Sequence, residues 1–327
     1  EYFELIGYKG DLCMLQCLGP PEARGKYLEI SPDKIRNTDF QRQGNGVAIV
    51  TVKDGKIWWI GGSGCEGCNG EDIVFPYDPV KDEWPKVTGE HVKSPEGGGF
   101  VLKTTYHVDI ARMQEKRMDH KAVVASDGKI YVMGGFQRRS KVVLNSMECY
   151  DPQSNTWEYR KPLSSVRMSF GATIGPDDKI YVFGGAAGMA NKKETPVLDT
   201  TEVYDPKTDS WSIRKPMPEP RQAHAAVLAA NGKIYILGGS IGIPGIPLAD
   251  VFIYDPAQDS WERGPGMNTK RSVLSAVATP DGKIYAIGGT DVGAYAQNQK
   301  LNFFRPKDDQ LYTGKVQDTV EVLDITK

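Results

Sequence analysis

Four arginines, Arg117, Arg167, Arg221 and Arg271, recur at one point of a repeating pattern, each four residues after Met113, Leu163, Met217 or Met267. Guanidinium groups gathered by a repeat can hold carboxylates through paired hydrogen bonds, which makes the four a candidate ligand-binding ring. The same placement suits a structural task, in which each arginine bonds carbonyls of its own loop. In the first repeat Arg42 or Gln43 stands near the expected place, so any ring is incomplete. His120 and His224 each follow one of these arginines by three residues, which makes them part of the repeat as well as candidates for ligand contact.

Other chemistry-bearing residues fall outside the pattern. Tyr295, Phe303, Phe304, Arg305 and Tyr312 share one long loop, and flat rings beside a guanidinium suit a sugar or a peptide. Of the five cysteines, Cys65 and Cys68 are close enough to suggest a disulfide involving that pair, and Cys149 sits in a strand as buried packing. His91 and His107 lie on the same side as Cys65 and Cys68, but their spacing matches no standard zinc finger, and no metal is assigned. Gly62 to Gly67 reads G-x-G-x-x-G, yet another strand follows it where a dinucleotide site needs a helix. Four histidines are too few to argue a Ser-His-Asp arrangement, and no cofactor is expected.

The elements that must position these residues are strands. From Arg221 to Trp261, Ala223–Leu228 and Lys233–Leu237 flank Asn231-Gly232, a dipeptide suited to a two-residue hairpin turn. Ile234-Tyr235-Ile236-Leu237 is apolar throughout, so that strand is covered on both faces. Gly238-Gly239 end it, Val251–Tyr254 form a third strand, and Asp255-Pro256 turn the chain into a fourth bearing Trp261. Gly-Gly recurs at 61–62, 134–135, 184–185, 238–239 and 288–289. Tyr-Asp-Pro and Trp follow at constant spacing in four of the five: Tyr77 with Trp84, Tyr150 with Trp157, Tyr204 with Trp211 and Tyr254 with Trp261.

On these motifs residues 46 to 324 resemble the kelch family of β-propellers, whose repeats of about 50 residues each form a four-stranded blade. The resemblance implies an all-β fold in a single propeller domain. The fifth repeat matches through Val320–Asp324 and the sequence stops at Lys327 before any Trp. Residues 1–46 show no clear repeat but carry strand-like stretches at Asp11–Leu18 and Lys26–Ile30. The expectation is that they close the ring, with Tyr2–Ile6 supplying the strand that the fifth repeat lacks, as a degenerate sixth blade on a repeat region of 47–327. A five-bladed ring is the alternative.

Spacing points to a working surface. Successive Gly-Gly pairs are 73, 50, 54 and 50 residues apart. The excess comes from a 23-residue insertion between Trp84 and Arg117 and a lengthened loop after Gly185, and the last repeat has a long loop after Gly289. In an antiparallel meander all of these connections share one end of the blades, whereas the opposite end keeps short Asp-Gly, Asn-Gly and Asp-Asp turns. Loop elaboration on one side of a rigid scaffold marks that side as the functional one. Gly97-Gly98-Gly99 followed by 100–108 reads as a hinge leading into a strand or flap.

A net charge of -2 and the lack of a basic run argue against a nucleic-acid surface, and no apolar stretch is long enough to span a membrane. The sequence begins at Glu1 and has close cysteines, features that lean toward a secreted or periplasmic protein. The functional expectation is a non-catalytic scaffold binding a protein or a glycan on the long-loop face. The alternative resembles the periplasmic kelch mutarotases that act on acidic sugars, with Arg holding a carboxylate and a Glu or His moving a proton. Copper chemistry of the galactose-oxidase type, found on the same fold, is disfavoured because His120 and His224 occupy repeat positions.

Overall fold

The computed structural model describes residues 3–9, 12–17, 27–30, 48–62, 72–81, 83, 87–93, 100–106, 108–137, 140–188, 196–242, 245–291 and 319–326, and every regular element among them is a strand. Strands β1 (Phe3–Lys9), β2 (Leu12–Cys17) and β3 (Tyr27–Ile30) form an antiparallel sheet of their own. Blade I is β4 (Ala48–Thr51), β5 (Ile57–Ile60) and β6 (Val74–Tyr77). The insertion that follows is a hairpin, β7 (Val87–Lys93) with β8 (Phe100–Tyr106).

Blade II consists of β9 (Lys121–Val124), β10 (Ile130–Met133), β13 (Met147–Asp151) and β14 (Thr156–Arg160), with a small hairpin of β11 (Phe136–Gln137) and β12 (Val142–Val143) set into it. Blade III is β15 (Gly171–Ile174), β16 (Ile180–Phe183), β17 (Thr201–Asp205) and β18 (Ser210–Arg214). Blade IV is β19 (Ala225–Leu228), β20 (Ile234–Leu237), β23 (Val251–Asp255) and β24 (Ser260–Arg263), again with a hairpin, β21 (Ser240–Ile241) and β22 (Ile246–Pro247). Blade V is β25 (Ser275–Thr279), β26 (Lys283–Ile287) and β27 (Val320–Asp324).

The five repeats thus become five blades of a propeller, in which the inner strands β4, β9, β15, β19 and β25 stand side by side in that order. At the N-terminus β1 pairs with β2, and at the other end β27 pairs with β26. Among the described residues no ladder joins β1 to β27, and the opening strand folds locally onto its hairpin partner.

The core lies between blades, which is why the second strand of each repeat lacks alternation. Ile130 and Val132 of β10 pack toward blade I with Trp58 and Ile60, whereas Tyr131 and Met133 pack toward blade III with Ile180 and Val182. Both faces of one strand are therefore withdrawn from water, and each blade is covered by its neighbours. Cys149 is a buried free thiol in the same packing, and burial pushes its pKa up.

Trp closes three of these interfaces from the outside. Its ring stacks at a tilt on the tyrosine opposite it, with centroids 5.1 Å apart in Tyr150–Trp157 and Tyr204–Trp211 and 4.8 Å in Tyr254–Trp261. The indole N–H reaches back to the linker before its blade, from Trp157 to Ala111 O at 2.7 Å, from Trp211 to Lys161 O at 2.7 Å and from Trp261 to Lys215 O at 2.9 Å. Two residues earlier, Asn155, Asp209 and Asp259 adopt positive φ and accept from both the tyrosine hydroxyl and a linker N–H. Asn and Asp tolerate that conformation better than most side chains.

Trp157 is 7% exposed. Trp157→Ala should cost about 3–5 kcal/mol in chemical denaturation, because it opens a cavity and leaves Ala111 O without its donor. A denaturation curve that overlays the parent's would remove the packing assignment.

Candidate functional site

The arginines are best understood from the backbone that receives them. Each Gly-Gly pair adopts positive φ, near 60° at the first glycine and 90° at the second. A Cβ at Gly184 would lie 2.5 Å from Arg221 O, and one at Gly238 would lie 2.4 Å from Arg271 O, so neither position admits a side chain. The second glycine donates its N–H to the arginine carbonyl of the next blade: Gly62 to Arg117 at 2.9 Å, Gly135 to Arg167 at 2.8 Å, Gly185 to Arg221 at 2.9 Å and Gly239 to Arg271 at 2.8 Å. The arginine side chain turns the other way, and its Nη1 donates to the first glycine of its own blade, at Gly134, Gly184, Gly238 and Gly288, over 2.7–3.1 Å. One residue therefore ties two blades together.

All four arginines are fully buried, and three of them meet a glutamate from the third strand of the blade. Arg117 Nη2 is 2.7 Å from Glu148 Oε1, and Arg167 pairs with Glu202. Arg271 is 3.0 Å from Glu321 Oε1 and also donates to Thr319. The same carboxylates accept linker N–H groups, from Gln114 and Glu115, from Ser164, and from Asn268 and Thr269 respectively. Burial lowers the pKa of Arg167 while Glu202 opposes that shift.

Blade IV departs from this scheme. Phe252 occupies the glutamate position, and the Arg221 guanidinium lies 4.2 Å from the centre of its ring. Pro218 stands where Gln114, Ser164 and Asn268 stand in the other blades, which removes an N–H that the missing carboxylate would have accepted. Arg221 Nε and Nη2 have no hydrogen-bond partner, and Glu219 is 3.8 Å away. Burial accordingly brings the Arg221 pKa down to about 10.

Two residues after each arginine the chain reaches the central throat. Asp119, Ser169, Ala223 and Val273 all adopt φ of 53–55°. Ser169 N donates to Asp119 O at 3.0 Å, Ala223 N to Ser169 O at 2.6 Å and Val273 N to Ala223 O at 2.8 Å. This backbone arc runs through four blades and holds even the β-branched Val273 in a conformation it would otherwise avoid. The next residue is a wedge between blades, filled by His120, Phe170, His224 or Leu274. His120 and His224 are each 2% exposed, with their rings close to the backbone of Ile60 and Phe183 respectively. Burial holds both pKa values well below the ordinary histidine range, reinforced by the charges of Arg117 and Lys121 on His120 and of Arg221 and Lys121 on His224.

The structure thus brings six sequence candidates, Arg117, Arg167, Arg221, Arg271, His120 and His224, to the buried junctions around the throat. Tyr295, Phe303, Phe304, Arg305, Cys65 and Cys68 lie outside the described residues. Sequence reasoning missed Glu148, Glu202 and Glu321, although each stands two residues before the Tyr of Tyr-Asp-Pro or its equivalent. It also missed Asp119 and Lys121, which carry no repeat signal. Among the described residues no group of three or more His, Cys, Asp or Glu side chains is placed to hold a metal ion, and no helix is long and apolar enough to cross a membrane. A hollow of about 420 Å³ lies between the short turns of blades II and III, and its one charged lining residue, Asp178, is already bonded to Ser126.

The sequence model of the KLHDC2/KLHL20/DRC7 Kelch-repeats domain matches residues 104–289. The chain belongs to the kelch-repeat family. Kelch-like protein 26 of Danio rerio is 31% identical over 215 residues, which is 64% of this chain and 30% of that protein. Kelch-like protein 35 of Mus musculus is 34% identical over 154 residues, 47% of this chain and 25% of that protein. The chain therefore spans less than a third of the length of these curated relatives. Among solved structures, that of YjhT superposes with a TM-score of 0.58 at 17% identity, covering 76% of this chain and 73% of the other, a likeness of fold.

The kelch arginine–glutamate pair has a pH signature. Burial pushes the Glu321 pKa up, but hydrogen bonds from Asn268, Thr269 and Arg271 and the Arg271 charge outweigh it, leaving the pKa below the ordinary 4.5. A carboxylate with a depressed folded pKa contributes stability above its unfolded pKa and loses it as pH falls through the folded value. Glu321→Gln should therefore be less stable than the parent by about 1–3 kcal/mol at pH 7 in urea melts, and the difference should shrink as pH falls below the ordinary carboxylate range. A difference that stays constant over that fall in pH would exclude the ion pair as its source.

Proposed function

We propose that the protein is a non-catalytic recognition scaffold that binds a protein partner on the long-loop face of the propeller. The observation that carries this reading is the asymmetry between the two ends of the blades. At one end the connections are tight turns held by their own side chains, with Asp54, Asp127 and Asn231 accepting from Lys56 N, Lys129 N and Lys233 N over 2.9–3.1 Å. At the other end the chain spends its extra length on the β7–β8 insertion, the lengthened loop after Gly185 and the stretch from 290 to 319, and shapes two connections of ordinary length into the β11–β12 and β21–β22 hairpins. Val142 and Ile246, on two of those hairpins, are 44% and 59% exposed. Apolar side chains presented on elaborated loops above a rigid ring suit contact with another protein.

A glycan reading rests on Tyr295, Phe303, Phe304 and Arg305. The acidic-sugar enzyme reading needs arginines facing a pocket, and the four repeat arginines are fully buried, each with Nη1 bonded to its own blade. A protein partner is therefore the reading that the described surface favours.

Affinity capture with the immobilised protein, read by mass spectrometry, tests the assignment. Val142→Asp with Ile246→Asp, or Phe303, Phe304 and Arg305 changed to Ala, should abolish capture of specific partners while shifting stability by no more than about 1 kcal/mol per site. Lys129→Glu and Lys233→Glu, on the short-turn end, should leave capture intact. The opposite pattern would overturn the reading.

A further inference from the structure

We propose that the hollow between the short turns of blades II and III holds the side chain of a lysine from a protein partner. The five short turns share one frame, running from Val52 to Lys56, Ala125 to Lys129, Gly175 to Lys179, Ala229 to Lys233 and Thr279 to Lys283. In each, the fourth residue returns its N–H to the carbonyl of the first over 2.9–3.2 Å. That fourth residue is glycine at 55, 128, 232 and 282, with φ of 78–88°. In blade III it is Asp178, held at φ of 62°. Glycine takes this conformation without strain, so what the exchange adds is a carboxylate.

The preceding junction shows what fits between two such turns. The second turn residue of blade I is Lys53, whose side chain reaches the turn of blade II. Its Cδ, Cε and Nζ lie 3.4, 3.5 and 3.7 Å from the place that a Cβ on Gly128 would occupy. At the next junction Ser126 stands in place of Lys53, and Asp178 in place of Gly128. A long side chain has given way to a short one, and a hollow of about 420 Å³ lies there, lined in part by Val124, Ser126, Ile174, Pro176 and Asp178.

The lining matches a lysine. Val124, Ile174 and Pro176 offer apolar surface to its hydrocarbon stem. The Asp178 carboxylate accepts from Ser126 N at 3.2 Å and from the Ser126 hydroxyl, which fixes its direction and leaves further acceptor sites for an ammonium. No cation pairs with Asp178 among the described residues, because Lys129 and Lys179 of the flanking turns lie 3.0 and 3.2 Å from Asp151 and Asp205. Asp127 and Asp177 stand on the same two turns, so the local charge favours a cation. The hollow is open to solvent, and a lysine on an exposed segment of another protein can enter it. The site lies at the end of the blades opposite the long loops and does not rest on the reading given for that face.

The test is an NMR titration at constant ionic strength with the capped peptide acetyl-Gly-Lys-Gly-amide, read at the Ser126 amide and the Val124 and Ile174 methyl groups. Saturable shifts at these groups are expected, and none with the neutral acetyl-Gly-Gln-Gly-amide. Asp178→Gly restores the residue of the other four turns and Ser126→Lys copies Lys53, so both use side chains that the turn frame already accepts. Asp178→Gly should weaken binding about 10-fold or more. Ser126→Lys should abolish it by filling the hollow from within, and should raise the thermal midpoint. No saturable response to the lysine peptide, an equal response to the glutamine peptide, or unchanged binding in either variant overturns the site. A response to n-butylammonium with none to the lysine peptide overturns the assignment to a partner's lysine. Neither variant touches Val142 or Ile246, so failure here leaves the long-loop reading to be judged on its own.

Discussion

The bond on which the ring depends is the pairing of each buried arginine with two Gly-Gly pairs. Its carbonyl accepts from the preceding blade and its guanidinium donates to its own blade, so each of the four described junctions from blade I to blade V passes through one residue. The buried charge requires compensation, which Glu148, Glu202 and Glu321 supply while also satisfying linker N–H groups. A fully buried pair of this kind contributes little net stability over an apolar substitute, but losing one member leaves an uncompensated charge. Phe252 illustrates the alternative: the carboxylate is replaced by an aromatic face, and Pro218 has no N–H to leave unsatisfied.

Because the junctions are made by main chain and buried side chains, the two ends of the blades are free to diverge. The short-turn end is fixed by Asx side chains that accept from a backbone N–H two residues later. On the other end, insertions between Gly-Gly and the third strand leave the junction bonds intact: Leu144, Leu198 and Leu248 each accept from the next arginine's N–H and donate to the second glycine's carbonyl. That anchoring lets the β11–β12 and β21–β22 hairpins project without disturbing the ring. A protein that must vary its contacts while keeping its frame has this division of labour.

The throat separates the repeated side chains from the one that departs from the repeat. His120 and His224 occupy a wedge position that Phe170 and Leu274 fill equally well, so their burial is structural in origin. Lys121 breaks the pattern of small residues at its own position, and an irregularity in an otherwise repeated strand is the more informative signal.

Periodicity alone determined the all-β class, the five repeats, the double-sided burial of strands such as Ile234–Leu237 and the end of the blades that carries the long loops, because each is a matter of spacing along the chain. The tertiary structure decided what the spacing could not. Whether an arginine faces a ligand or a carbonyl depends on which loop lies above it, and Gly134 or Gly184 reaches it only once the blade has folded. The pairing of β1 with β2 is likewise visible only in the folded chain. The packing of the His224 ring against Gly171 joins blades III and IV, and contacts of that kind exist only after the ring has brought its inner strands together.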